Sequence, residues 1–184
     1  MKKGLLTAGI AALSLGAAFA QTTASHSVTV KVPVVLRLAV DTTNVNFDFG
    51  GSATGTSDGL QRAGNGSYIT FLEGTAASQD FAPSAYTGAA NDYVNARVVT
   101  NQPAWTLTVD SVGSFTGALA GRLKVKVDGG SYAAAGAGTL KKVTSGGQGR
   151  TDVALRYALN LQATDSFDGG TTQSATVTYK VTAP

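Results

Sequence analysis

Four stretches of this 184-residue chain alternate apolar and polar residues with a strict period of two. Trp105, Leu107 and Val109 interleave with Thr106, Thr108 and Asp110. Leu123, Val125 and Val127 interleave with Arg122, Lys124, Lys126 and Asp128. Val153, Leu155, Tyr157, Leu159 and Leu161 do so with Ala154, Arg156, Ala158 and Asn160, and Ala175, Val177, Tyr179 and Val181 with Thr176, Thr178 and Lys180. Neighbouring side chains of a strand point to opposite faces, so each stretch reads as a strand with one face on a core and one in water. That is the habit of antiparallel sheets. Asp128-Gly129-Gly130 and Asp168-Gly169-Gly170 supply turn chemistry between strands.

A fifth alternation sets His26, Val28, Val30 and Val32 against Ser27, Thr29 and Lys31, and Pro33 ends it, as suits a strand end or edge. Residues 34–40 resume the pattern, and shorter strands are expected over 45–49, 68–72 and 93–99. No segment predicts a helix. Residues 50–66 and 76–91 are long, small-residue connections, as are 133–138 and 144–149, and none carries a phosphate-binding glycine motif. The expected fold is all-β: a single antiparallel β-sandwich, Ig-like or jelly-roll-like, with long Gly/Ser/Ala-rich loops.

The first twenty residues read as a cleavable secretory signal peptide. Lys2 and Lys3 form a positive start, residues 4–15 are apolar, and Ala18-Phe19-Ala20 has the small-x-small cleavage pattern. The apolar run falls short of the roughly 20 residues of a membrane span. The expected product is one domain over residues 21–184, exported to the cell surface, periplasm or extracellular space.

Charge narrows the partners. The leader holds two of the fourteen Lys and Arg and none of the eleven acids, leaving the rest at +1. Nucleic-acid binding needs clustered basic charge well above that. The distribution is uneven: residues 21–121 carry four basic and seven acidic residues, and residues 122–184 carry eight basic and four acidic. A chain so polarised suits stacking head to tail, contact with an anionic polymer, or simple solvation.

Groups for catalysis are scarce. There is no Cys, one His (His26) and one Glu (Glu73), so neither a thiolate, a His-rich metal site nor a triad base in a defined pocket is indicated. The chain is expected not to be an enzyme and to need no cofactor. Calcium is the metal best matched to its oxygen donors, with Asp41 and Asp48 (beside Asn44 and Asn46) and Asp165 and Asp168 as candidate ligands. Such residues also cap turns through their own backbone. Trp105 and Tyr179 could stack on sugars, although strand register puts both on the apolar face; Tyr68, Tyr86, Tyr93 and Phe81 lie nearer loops.

Two segments together resemble the WxL surface domain of bacterial cell walls. Residues 98–109 (VVTNQPAWTLTV) place W-x-L at a strand start, followed by Phe115 and Leu119-Ala120-Gly121-Arg122-Leu123, and the chain closes on Ala183-Pro184. Trp105, Thr106 and Leu107 match the family's first motif, while Tyr179-Lys180-Val181 stands at the second as Y-x-V. A fainter echo lies in residues 32–36 and 47–50. The resemblance implies an exported, non-enzymatic protein held non-covalently on peptidoglycan or another envelope polymer. Its contacts would be Trp105, Leu107 and Tyr179, with Lys124, Lys126, Lys141, Lys142 and Arg150 on anionic groups. The alternative is a self-assembling fimbrial or surface-fibre subunit whose partners are copies of itself. Its arm, carrying His26, Val28, Val30 and Val32, would add a strand to a neighbour.

Overall fold

The structure is a computed structural model that describes residues 27–42, 44–167, 170 and 172–184. The leader, His26 and Asp168-Gly169 lie outside the described residues. The chain divides into two units, residues 1–32 and 33–184. Of the first, residues 27–32 are described, and they form no strand.

In the second unit nearly every element is a strand and every strand pairing is antiparallel. The larger sheet runs β1 (Leu36–Val40), β7 (Val94–Thr100), β12 (Gly149–Gln162), β9 (Leu123–Val127) and β10 (Ala133–Ala134), with β5 (Ser78–Phe81) continuing beside the far end of β12. The smaller sheet runs β11 (Gly138–Val143), β8 (Trp105–Val112) and β13 (Val177–Thr182). Two short ladders complete the set: β2 (Asn44–Asn46) with β6 (Ala85–Thr87), and β3 (Thr56–Ser57) with β4 (Leu60–Gln61).

The fourteen-residue β12 organises this arrangement. Its first half pairs β7, its middle pairs β9 on the opposite side, and its last four residues pair β5. Val153, Leu155 and Tyr157 join Val94, Ala96 and Val98 of β7, Leu123 and Val125 of β9, and Trp105 and Leu107 of β8 in one buried cluster. The two main sheets thus contribute to a common core, in the manner of a sandwich. Two positions further along the same face, Leu159 and Leu161 enter a second cluster with Ala63, Phe71 and Phe81. Burying each large apolar side chain contributes on the order of 1.5–3 kcal/mol.

The structure corrects two expectations. Residues 68–72, expected as a strand, lie in the helix α1 (Asn65–Glu73). Its buried Phe71 meets Phe81 edge-on at 5.7 Å between ring centres, and Tyr68 meets Phe49 at 5.3 Å. The helix begins at Gly64, where any Cβ would lie 2.1 Å from the Ala53 carbonyl oxygen. Residues 27–32, part of the run expected as a strand over 26–32, have no strand partner among the described residues, and the strand expected over 34–40 begins its pairing at Leu36. The loop regions are also more ordered than their composition suggests. Residues 50–66 contain the β3–β4 hairpin, where Asp58 and Gly59 take φ of 54° and 78°, the left-handed pair a tight two-residue hairpin requires.

Candidate functional site

The outer face of β9 and β12 gathers the basic residues, and acids from elsewhere in the chain cover them. Lys124 Nζ lies 2.9 and 2.8 Å from the two Asp80 carboxylate oxygens, and Asn160 Nδ2 donates to Asp80 Oδ1 at 2.6 Å. Asp58, at the hairpin tip, accepts from Lys126 Nζ at 2.6 Å and from the Tyr132 hydroxyl at 2.8 Å. Arg156 Nε stands 3.8 Å from the same carboxylate, and its guanidinium lies 4.9 Å from the Tyr93 ring centre. Burial alone would raise the Asp58 carboxyl. Hydrogen bonds from Lys126 and Tyr132, with the charges of Lys126 and Arg156, outweigh it and hold the group below the usual carboxylate range. Burial and the bond to Asp58 push the Tyr132 phenol up.

The pattern continues outward. Lys141 pairs with Asp128 at 2.8 Å, Arg122 with Asp165 at 3.4 Å, and Arg62 with Asp92. Asp152 takes Arg150 at 2.7 Å and Arg97 at 3.0 Å, and their hydrogen bonds hold its carboxyl low. Of the basic residues expected to contact an anionic polymer, Lys124, Lys126, Lys141 and Arg150 are each held by a carboxylate of the same chain. Lys142 is exposed and, among the described residues, forms no ion pair. The acid-rich and base-rich parts of the sequence neutralise one another through Asp58–Lys126, Asp58–Arg156 and Asp80–Lys124.

For the aromatics the expected strand register holds, at the expense of the polymer contact that the resemblance implies. Trp105 and Leu107 are 1% and 0% exposed, and Trp105 Nε1 donates to the Gly147 carbonyl at 3.3 Å. Neither offers a face to a polymer, because register turns both into the common core. Tyr179 packs against that core, and its hydroxyl is buried with no hydrogen-bond partner among the described residues. Burial pushes its phenol up.

The calcium candidates lie apart and bind backbone. Asp41 Oδ1 accepts from Asn95 N–H at 2.8 Å, Asp48 Oδ1 from Gly50 N–H at 3.0 Å, and Asp165 Oδ2 from Gln162 N–H at 2.8 Å. Asp48 and Asp165 act as turn caps, whereas Asp41 ties the end of β1 to β7, 54 positions away. Asp168 is outside the described residues. Among the described residues no three metal-ligating side chains gather, and no helix is long and apolar enough to cross a membrane. An open cleft of about 520 Å³ is lined by Arg62, Ser84, Tyr86 and Asp92. Its charges are paired with each other, and the Tyr86 hydroxyl is occupied by the Tyr157 N–H at 3.2 Å.

Residues 27–34 are of a different kind. Val28, Val30, Val32 and Val34 are 75%, 78%, 70% and 71% exposed. Just beyond them the chain is clamped. Asn101 Oδ1 accepts from Val35 N–H at 2.9 Å, and Asn101 Nδ2 donates to the Pro33 carbonyl at 2.7 Å. Thr100 Oγ1 adds a bond to the Val35 carbonyl at 2.8 Å.

Sequence reading named the arm but missed Asp58, Asp80 and Asn101. The Asp58-Gly59 pair was the one local signal, being a hairpin-turn dipeptide inside a segment that otherwise reads as featureless. No family model matches the chain, and neither a curated protein nor a solved structure matches it.

Proposed function

We propose that this protein is an exported, non-enzymatic structural subunit of a bacterial cell surface that joins copies of itself by β-strand addition. The donor is the segment carrying Val28, Val30, Val32 and Val34. One observation carries the reading: four alternating valines stand largely exposed on a segment with no strand partner among the described residues. An unpaired apolar strand of this kind is a template for pairing with another chain. Attachment to a wall polymer has less support, since most of the cations it would use are neutralised within the chain and Trp105 and Leu107 are buried.

The test is negative-stain electron microscopy and size-exclusion chromatography of residues 21–184 beside a Val28→Asp, Val30→Asp, Val32→Asp variant, with circular dichroism as the folding control. Filaments or large oligomers that vanish in the folded variant support the proposal. Monomers in both samples end it. Co-sedimentation with wall sacculi that survives the valine changes and is lost in Lys142→Glu would favour polymer attachment in its place.

A further inference from the structure

Resting on that reading, we infer that the acceptor is the free edge of β13 in a second copy, so that the arm of one molecule becomes the fourth strand of the smaller sheet in the next. Among the described residues the lateral edges of the two main sheets are β1, β10, β11 and β13. β10 is two residues long, too short to template the arm. β11 carries a bulge between Thr139 and Lys141, which breaks the regular spacing of its backbone groups. β1 is regular but belongs to the larger sheet, already five strands across.

β13 has what those edges lack. It is six residues long and pairs only with β8 among the described residues, with β1 of the larger sheet nearby; its ladder also shifts register between Thr178 and Tyr179, but the extra residue there is Asp110 of β8, so the backbone of β13 itself keeps its spacing. Its inward row, Val177, Tyr179 and Val181, is only half-buried, whereas the inward row of the adjoining β8, Trp105, Leu107 and Val109, is buried. The core is therefore unfinished along this edge. The arm matches it in period and polarity. Val28, Val30 and Val32 would extend the inward row, and Ser27, Thr29 and Lys31 would lie beside Thr178, Lys180 and Thr182 on the wet face. The six residues 27–32, ahead of the clamped Pro33, match the six of β13 at roughly 3.3 Å per residue. Donor and acceptor are different surfaces, so the contact is heterologous and propagates as an open polymer.

The chain contains no cysteine, so a single introduced pair reports unambiguously. Lys31→Cys protein is mixed under mild oxidation with Thr178→Cys, Lys180→Cys or Thr182→Cys protein. Thr139→Cys and Lys142→Cys on β11 and Arg37→Cys on β1 serve as comparisons. All of these positions are exposed, so none disturbs the core. The inference expects a reducible link between two chains that traps most of the protein with at least one β13 partner and little with the β11 or β1 partners. Preferential trapping with β11 or β1, or oligomers that trap with none of the β13 positions, overturns the acceptor while leaving self-assembly standing. A Lys31→Cys, Lys180→Cys double variant that links only within one chain overturns it as well. Absence of any oligomer removes the proposed function itself.

Discussion

Asp58 sits at a turn whose backbone few residues tolerate, yet it serves cations on β9 and β12 and the phenol of Tyr132 just before β10. Asp58→Asn keeps the turn but removes the charge. A charge-assisted hydrogen bond of this kind contributes about 2 kcal/mol, the loss expected in urea unfolding at pH 7. Because the folded-state carboxyl is depressed, its contribution is complete above the unfolded value of about 3.9 and fades as pH falls through the folded value. The gap between wild type and variant should close under acid, and a gap unchanged from pH 7 to about pH 3 would contradict this ion pairing. Trp105 invites a second residue-scale test. A Cβ at Gly147 would lie 2.8 Å from the indole ring and 3.0 Å from the Pro103 carbonyl oxygen. Gly147→Ala should cost about 1–3 kcal/mol and shift tryptophan emission to the red. Trp105→Ala should cost about 3–5 kcal/mol.

Among the elements, the start of β1 is held by a side chain standing in for a strand. Asn101 bonds both Pro33 and Val35, the two residues flanking Val34. Asn101→Ala should leave global unfolding within about 1 kcal/mol of wild type, as for loss of a partly exposed hydrogen bond. It should nonetheless speed proteolysis around residues 30–35 and lower the yield of assembly. Unchanged cleavage there would show that the clamp does not hold the arm's root. The alternating runs that became β8, β9, β12 and β13 were legible because each strand meets one core on one side, leaving its period intact. Helix α1 was not. Tyr68, Ile69, Phe71 and Leu72 are β-branched, aromatic or aliphatic residues that suit either element over so short a span. What selects the helix lies outside the segment: Phe71 packs on Phe81 of β5, and Tyr68 on Phe49. The charge network was hidden for a like reason: Lys126 and Asp58 are 68 positions apart, and no local pattern announces the pair.

At the scale of the molecule, the charge asymmetry so visible in sequence is largely spent inside the fold. Assembly by strand addition should then persist in about 1 M salt, where the screening length shrinks to about 3 Å. Sedimentation of oligomers across a salt series checks this, and dissolution at high salt would point to a charge-held contact. A further consequence follows from β12. The strand that pairs β5, β7 and β9 lies at residues 149–162, after all three of its partners in the order of synthesis. Until those residues emerge from the ribosome, β7 and β9 have no common neighbour and the larger sheet has no middle. Contacts so distant in sequence form slowly. The nascent larger sheet therefore stays open until β12 has followed its three partners out, so the core closes late and in one step rather than strand by strand.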